Sequence, residues 1–121
     1  MADLRSNAIT KLSSTTIGCQ TADGAQTLYT VPTGKSAYIT HVVVRDPTGS
    51  LAGGTDFDFT SWRQNVDLSS MTTSGTDFMV IVGADVTKYT ELSAGTAFQI
   101  TPSTGATADV DAMVDVFGYL V

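Results

Sequence analysis

The side chains that could carry chemistry are few, and their spacing is the spacing of strands. Asp56 and Asp58 fall on one face of an alternating run, and Asp109, Asp111 and Asp115 on one face of another. Paired carboxylates of this kind can hold a hard cation, but Ca²⁺ takes 6–8 oxygen ligands, and no Asp-x-Asp-x-Asp-Gly loop is present. Acids alternating along a strand are the ordinary means of solvating it and of keeping its edge from pairing with other chains. No metal is expected.

The nucleophiles and imidazole add little. His41 is the single histidine and lies in the most apolar run, Ala37–Val44. Zinc sites converge three or four ligands, so a packed, hydrogen-bonded histidine is the expectation. Cys19 is the single cysteine, which rules out an internal disulfide and reads as a small buried hydrophobe. The serines lack a Gly-x-Ser-x-Gly elbow. The expectation is a protein that is not an enzyme, with no catalytic residue and no cofactor.

Two places suit contacts with other molecules. Trp62-Arg63 follows the Phe57/Phe59 run, and aromatic and guanidinium groups dominate interface hot spots. Trp62 is expected to pack in the core, and Arg63 to stay at the surface because a buried guanidinium needs a carboxylate partner. Residues 1–14 carry both charge signs, with Leu4, Ile9 and Leu12 at no regular period and Arg5 and Lys11 between them. That reads as an N-terminal arm whose apolar pegs reach the domain or a neighbour.

The elements that must position these residues are strands. Tyr29–Val44 reads as a hairpin about Pro32-Thr33-Gly34, where proline presets φ and glycine supplies the turn. Thr15–Gln20 is a short β-prone run, and Thr21–Gly24 a turn. In Thr55–Ser61, Phe57 and Phe59 point one way and the acids the other; Ser69–Thr76 is a loop. Phe78–Val82 reads as a short buried strand, Val86–Leu92 as another, and Ala97–Ile100 and Pro102–Gly105 follow. Along Ala108–Leu120, Val110, Ala112, Val114 and Val116 share one face in a period of two, which no helix could use. Together these predict an all-β fold: one antiparallel β-sandwich domain over 15–121, jelly-roll-like, with eight or nine strands.

Bulk properties narrow the partners. A net charge of −6 and a pI near 4.3 oppose phosphate backbones, so nucleic acid is not expected. No run reaches the roughly 20 apolar residues of a membrane span, and the N-terminus lacks the apolar core of a secretory signal. Synthesis in a cytoplasm is expected. The initiating Met and a strand pattern reaching the last residue read as a complete small gene product.

Three phrases carry a resemblance: Tyr-Thr-Val-Pro-Thr-Gly-Lys at 29–35, Gly-Gly-Thr-Asp-Phe-Asp-Phe at 53–59 and Val-Asp-Val-Phe-Gly-Tyr-Leu at 114–120. Across most of residues 25–121 the chain resembles the small β-sandwich virion proteins of tailed bacteriophages, most of all those that decorate or cement capsids. The resemblance implies a homotrimer on the outside of an icosahedral shell, bound to the major capsid protein, made in a bacterial host and carried on the virion. It brings no catalytic residue. The first phrase also occurs in tail and fibre proteins, which keeps open a carbohydrate- or receptor-binding module with an aromatic platform around Trp62 and Tyr89.

Overall fold

The computed structural model describes residues 8–83 and 89–121. Period-two runs become strands, and among the described residues there are eight: β1 Thr10–Gly18, β2 Gln26–Thr30, β3 Ala37–Arg45, β4 Asp56–Phe59, β5 Phe78–Val82, β6 Glu91–Leu92, β7 Ala97–Thr104 and β8 Asp111–Leu120. All pairings are antiparallel. One sheet has the order β1-β8-β3-β5, with β6 also on β3; the other has the order β2-β7-β4.

The first five strands alternate between the two sheets, as do β6, β7 and β8. Wrapping of that kind, with β8 beside β1 and β7 beside β2, gives the jelly-roll-like sandwich that the strand pattern predicts. The inner faces meet in a core of Phe57, Phe59, Phe98, Ile100, Leu51, Leu68, Ile39, Val42, Val44, Val114 and Val116, all buried. Each large apolar side chain removed from water contributes about 1.5–3 kcal/mol. Period two in β4 and β8 is therefore the force that fixes register: a one-residue slip would turn these phenylalanines and valines outward.

Four expectations are corrected or redrawn. The Tyr29–Val44 segment is not a hairpin, because β2 and β3 belong to different sheets. The turn itself forms, with Lys35 N–H donating to Pro32 C=O at 3.2 Å and Gly34 at φ 77°. Its two sides are tied apart: Val31 exchanges hydrogen bonds with Thr96 and Gly95, while Ser36 exchanges them with Val121. A strand turn between sheets uses the same residues as one within a sheet, and only the partners differ.

Thr10–Ser14, read as the end of an arm, form the first half of β1 and pair with β8. A bulge between Lys11 and Ser13 breaks the register there, which removes the alternation that marks a strand. Ala97–Ile100 and Pro102–Gly105 merge in β7. Pro102 lies past the last β2 pair, at Ile100, and beside a bulge against β4, the positions where a residue without an N–H is tolerated. Finally, Phe78–Val82 is a strand but not a buried one, since Phe78, Val80 and Val82 are 69%, 51% and 49% exposed. Most of the strand read over Val86–Leu92 lies outside the described residues, and its end is β6.

Candidate interaction surface

The outer face of the five-stranded sheet is where exposed apolar side chains collect. Register sets out its rows across the strands. Thr16, Met113, Arg45 and Phe78 form one row; Ser14, Asp115, Val43 and Val80 the next; Lys11, Phe117, His41 and Val82 the third. A bulge at Thr40 then skips one residue, so that Tyr38 faces outward as His41 does and pairs with Tyr119 and Glu91.

Gly118, opposite the bulge, makes this possible. A Cβ there would run into the Tyr38 carbonyl, so the two strands approach as closely as they do only around glycine. The result is two cross-strand aromatic stacks side by side. His41 and Phe117 rings lie 4.5 Å apart at 5°, and Tyr38 and Tyr119 5.1 Å apart at 14°. His41 is thus packed and hydrogen-bonded, its Nδ1 2.9 Å from the Thr40 hydroxyl. Tyr38 donates its hydroxyl hydrogen to Glu91 at 3.1 Å, and that bond, helped by partial desolvation, raises the phenol's pKa.

One charged cluster interrupts the apolar surface. Arg45 Nε donates to Asp115 Oδ2 at 2.8 Å and Nη2 to Oδ1 at 3.3 Å, while the Ser14 hydroxyl donates to Oδ1 at 2.6 Å. Asp115 is nearly buried. Burial pulls its pKa upward, but the bonds from Arg45 and Ser14 and the charges of Arg45 and Lys11 together outweigh it, so the carboxyl sits below the usual range. Arg45 Nη1 also donates to Asp46 Oδ2 at 2.6 Å, so the cluster stays ionised, one cation between two carboxylates.

The outer face of the other sheet is built from oxygens and amides: Asp56 and Asp58 on β4, and Gln99, Thr101 and Ser103 on β7. Asp58 accepts the Asn65 backbone N–H at 2.8 Å and the Ser103 hydroxyl at 2.6 Å, bonds that lower its pKa. Its neighbour Asp56 is raised, first by sharing a hydrogen bond with Asp58. Among the described residues no group of three or more His, Cys, Asp or Glu side chains could hold a metal ion.

The residues singled out in the sequence are spread over the molecule. Ile9, just before β1, is exposed; Lys11 stands opposite Phe117; Leu12 lies at the bulge and packs on the core. Leu4 and Arg5 lie outside the described residues. Trp62 meets Phe59 and Phe98 edge-on, at 5.3 Å and 5.8 Å, and packs against the core as expected. Arg63 Nη1 donates to the Val82 carbonyl at 2.7 Å and so fastens the end of β5. Cys19 is buried, and burial, then the nearby Asp111 and Asp23, push its thiol up to about 12.

The surface residues that sequence reasoning missed are Phe78, Val80 and Val82, with Tyr38 and Tyr119. An uninterrupted run such as Phe-Met-Val-Ile-Val signals burial on both faces, and nothing in it distinguishes an edge. Among the described residues, no helix is long and apolar enough to cross a membrane. Comparison with protein families, curated proteins and solved structures gives no match to the chain. What the fold defines is its class: an all-β protein of two packed antiparallel sheets.

Proposed function

We propose that this chain is a structural protein of the virion of a tailed bacteriophage, a decoration or cement protein that assembles as a homotrimer and binds the outer surface of the capsid. One observation supports a role through surfaces: the apolar outer face of the five-stranded sheet, where Phe78, Val80 and Val82 stand exposed beside two aromatic stacks. Exposed apolar patches rimmed by polar residues mark places where another protein binds. The resemblance of three phrases to phage decoration proteins, rather than this face, points to the partner of the assembled trimer, the major capsid protein.

The mechanism is mechanical. A packed shell is pushed outward by its contents, and a trimer touching several capsid subunits must release all of them before it leaves. Contacts that are modest singly multiply through effective concentration. The acidic remainder of the surface keeps the coat from adhering to nucleic acid.

A glycan-binding module on a tail or fibre asks for open ring faces. Trp62 is partly buried against the core, nearly perpendicular to Phe59 and Phe98, and in each outer stack one ring face is taken by its neighbour. No specific observation favours that reading. Counting copies per particle, by quantitative mass spectrometry of particles from the producing host, tests the proposal. A number comparable to the coat protein is expected; a handful per particle would overturn it.

A further inference from the structure

We infer that the β5 edge and the outer face beside it are covered by a second copy of this chain. The inference uses the assembly proposal only for the presence of further copies, not for their number or for the capsid.

Sheet edges are normally blunted by charge, proline, bulges or brevity, because unpaired N–H and C=O groups recruit other strands. Every other edge here is treated in one of these ways. β1 carries Lys11 and a bulge, β2 a bulge between Thr27 and Tyr29, and β4 bears Asp56 and Asp58 and is bridged by Val66. β6 has two residues. β5 has five residues, Phe-Met-Val-Ile-Val, with no charged side chain and no proline, and pairs with β3 without a shift in register; Arg63 meets it at its last carbonyl, Val82. Among the described residues its only strand partner is β3.

The strand's own sequence selects a copy of the same chain as the occupant. Two molecules of net charge −6 repel over most of their surface, but β5 itself carries no charged side chain, and Asp115, in the row of Val80, is paired with Arg45. The strand is also self-complementary. Laid antiparallel about Val80, it sets Phe78 of one copy against Val82 of the other, an isologous contact of the kind that closes dimers. Three copies can instead pack the same side chains about a threefold axis. A stable contact removes about 800 Å² from each partner, an extent that calls for the neighbouring rows of β3 and β8 as well as β5.

The experiment is the mass in solution, by light scattering after size exclusion, of the wild type and of Val80→Lys and Val80→Glu. The two substitutions move net charge in opposite directions, so a shared effect reports the buried apolar contact. The wild type is expected at a multiple of 12.6 kDa and both variants at 12.6 kDa, with unchanged β-rich circular dichroism. A multiple of two or of three supports the inference equally, although two overturns the proposed trimer. A monomeric wild type, or an oligomer that survives both folded variants, overturns the inference. Should both variants unfold, hydrogen exchange of wild-type β5 amides at two protein concentrations decides. Protection that grows with concentration supports the contact, and protection independent of it overturns it. Correct mass with no particle binding would leave this contact standing and remove the capsid proposal alone.

Discussion

The outer faces of the two sheets solve the same problem with opposite chemistry. Both are sheet surfaces of an acidic chain, yet one shows valine, phenylalanine and stacked aromatics around an arginine bridged to two aspartates, and the other shows carboxylates, amides and hydroxyls. Their carboxylates differ accordingly. Asp115 is matched by a cation and lowered, whereas Asp56 faces another acid and is raised. A face that is to remain in water can leave like charges adjacent. A face that is to be covered cannot, because uncompensated charge is costly to desolvate.

Removing the geometry that builds the apolar face should have the largest effect. Gly118→Ala places a methyl against the Tyr38 carbonyl, and neither the β8 backbone nor the bulged β3 can retreat without disturbing the ladder between them. Forced overpacking costs about 1–3 kcal/mol. Chemical denaturation should show a lowered midpoint, and near-ultraviolet circular dichroism should show altered signals from the Tyr38–Tyr119 stack.

Next comes the ion pair. The lowered pKa of Asp115 means that its contribution to stability is complete above the unfolded value of about 3.9 and is lost as pH falls through the folded value. Thermal unfolding followed from pH 7 to pH 2 should show the wild type losing stability chiefly below pH 4. Asp115→Asn should be less stable at pH 7 and should converge on the wild type in acid, where both carry a neutral side chain.

Asp56 should behave with the opposite sign and a smaller size. Its raised pKa means that the native state holds the proton more readily than the unfolded chain, so its charge weighs against folding at neutral pH and the weight lifts in acid. Asp56→Asn is expected to leave stability at pH 7 unchanged or slightly higher in the same melts. A clear loss would show that the acids on that face are there for more than solvation.

How far this contrast could be foreseen depends on which physical signal each residue leaves in the sequence. Alternation is a direct imprint of the pleat, so Phe57 and Phe59 against Asp56 and Asp58, and Ala112 to Val116 against their neighbours, were legible as strands with an inside and an outside, although β8 begins at Asp111 rather than Ala108. β1 was only half legible, because its bulge at Leu12 shifts the period in mid-strand. The exposed β5 edge of the apolar face was not legible. Phe78, Val80 and Val82 are apolar inside a run that is apolar throughout, and exposure at an edge follows from which strand pairs with which. That is a property of topology, and the turn at Pro32–Lys35 shows how little of topology a local motif determines.

The smallest expected effect completes the comparison. Thr101→Lys introduces on the polar face the same charge that Val80→Lys introduces on the apolar one, on a central strand and beside Asp58, its cross-strand neighbour. A lysine there meets water and a carboxylate, and exposed substitutions of this kind stay within about 0.5 kcal/mol. The mass in solution and the melting temperature should both match the wild type. If Thr101→Lys dissociated the oligomer as Val80→Lys is expected to, the two faces would not differ in function. The apolar surface would then be a tolerated feature of the fold, and the carboxylates of the other sheet would become the place to look for a partner.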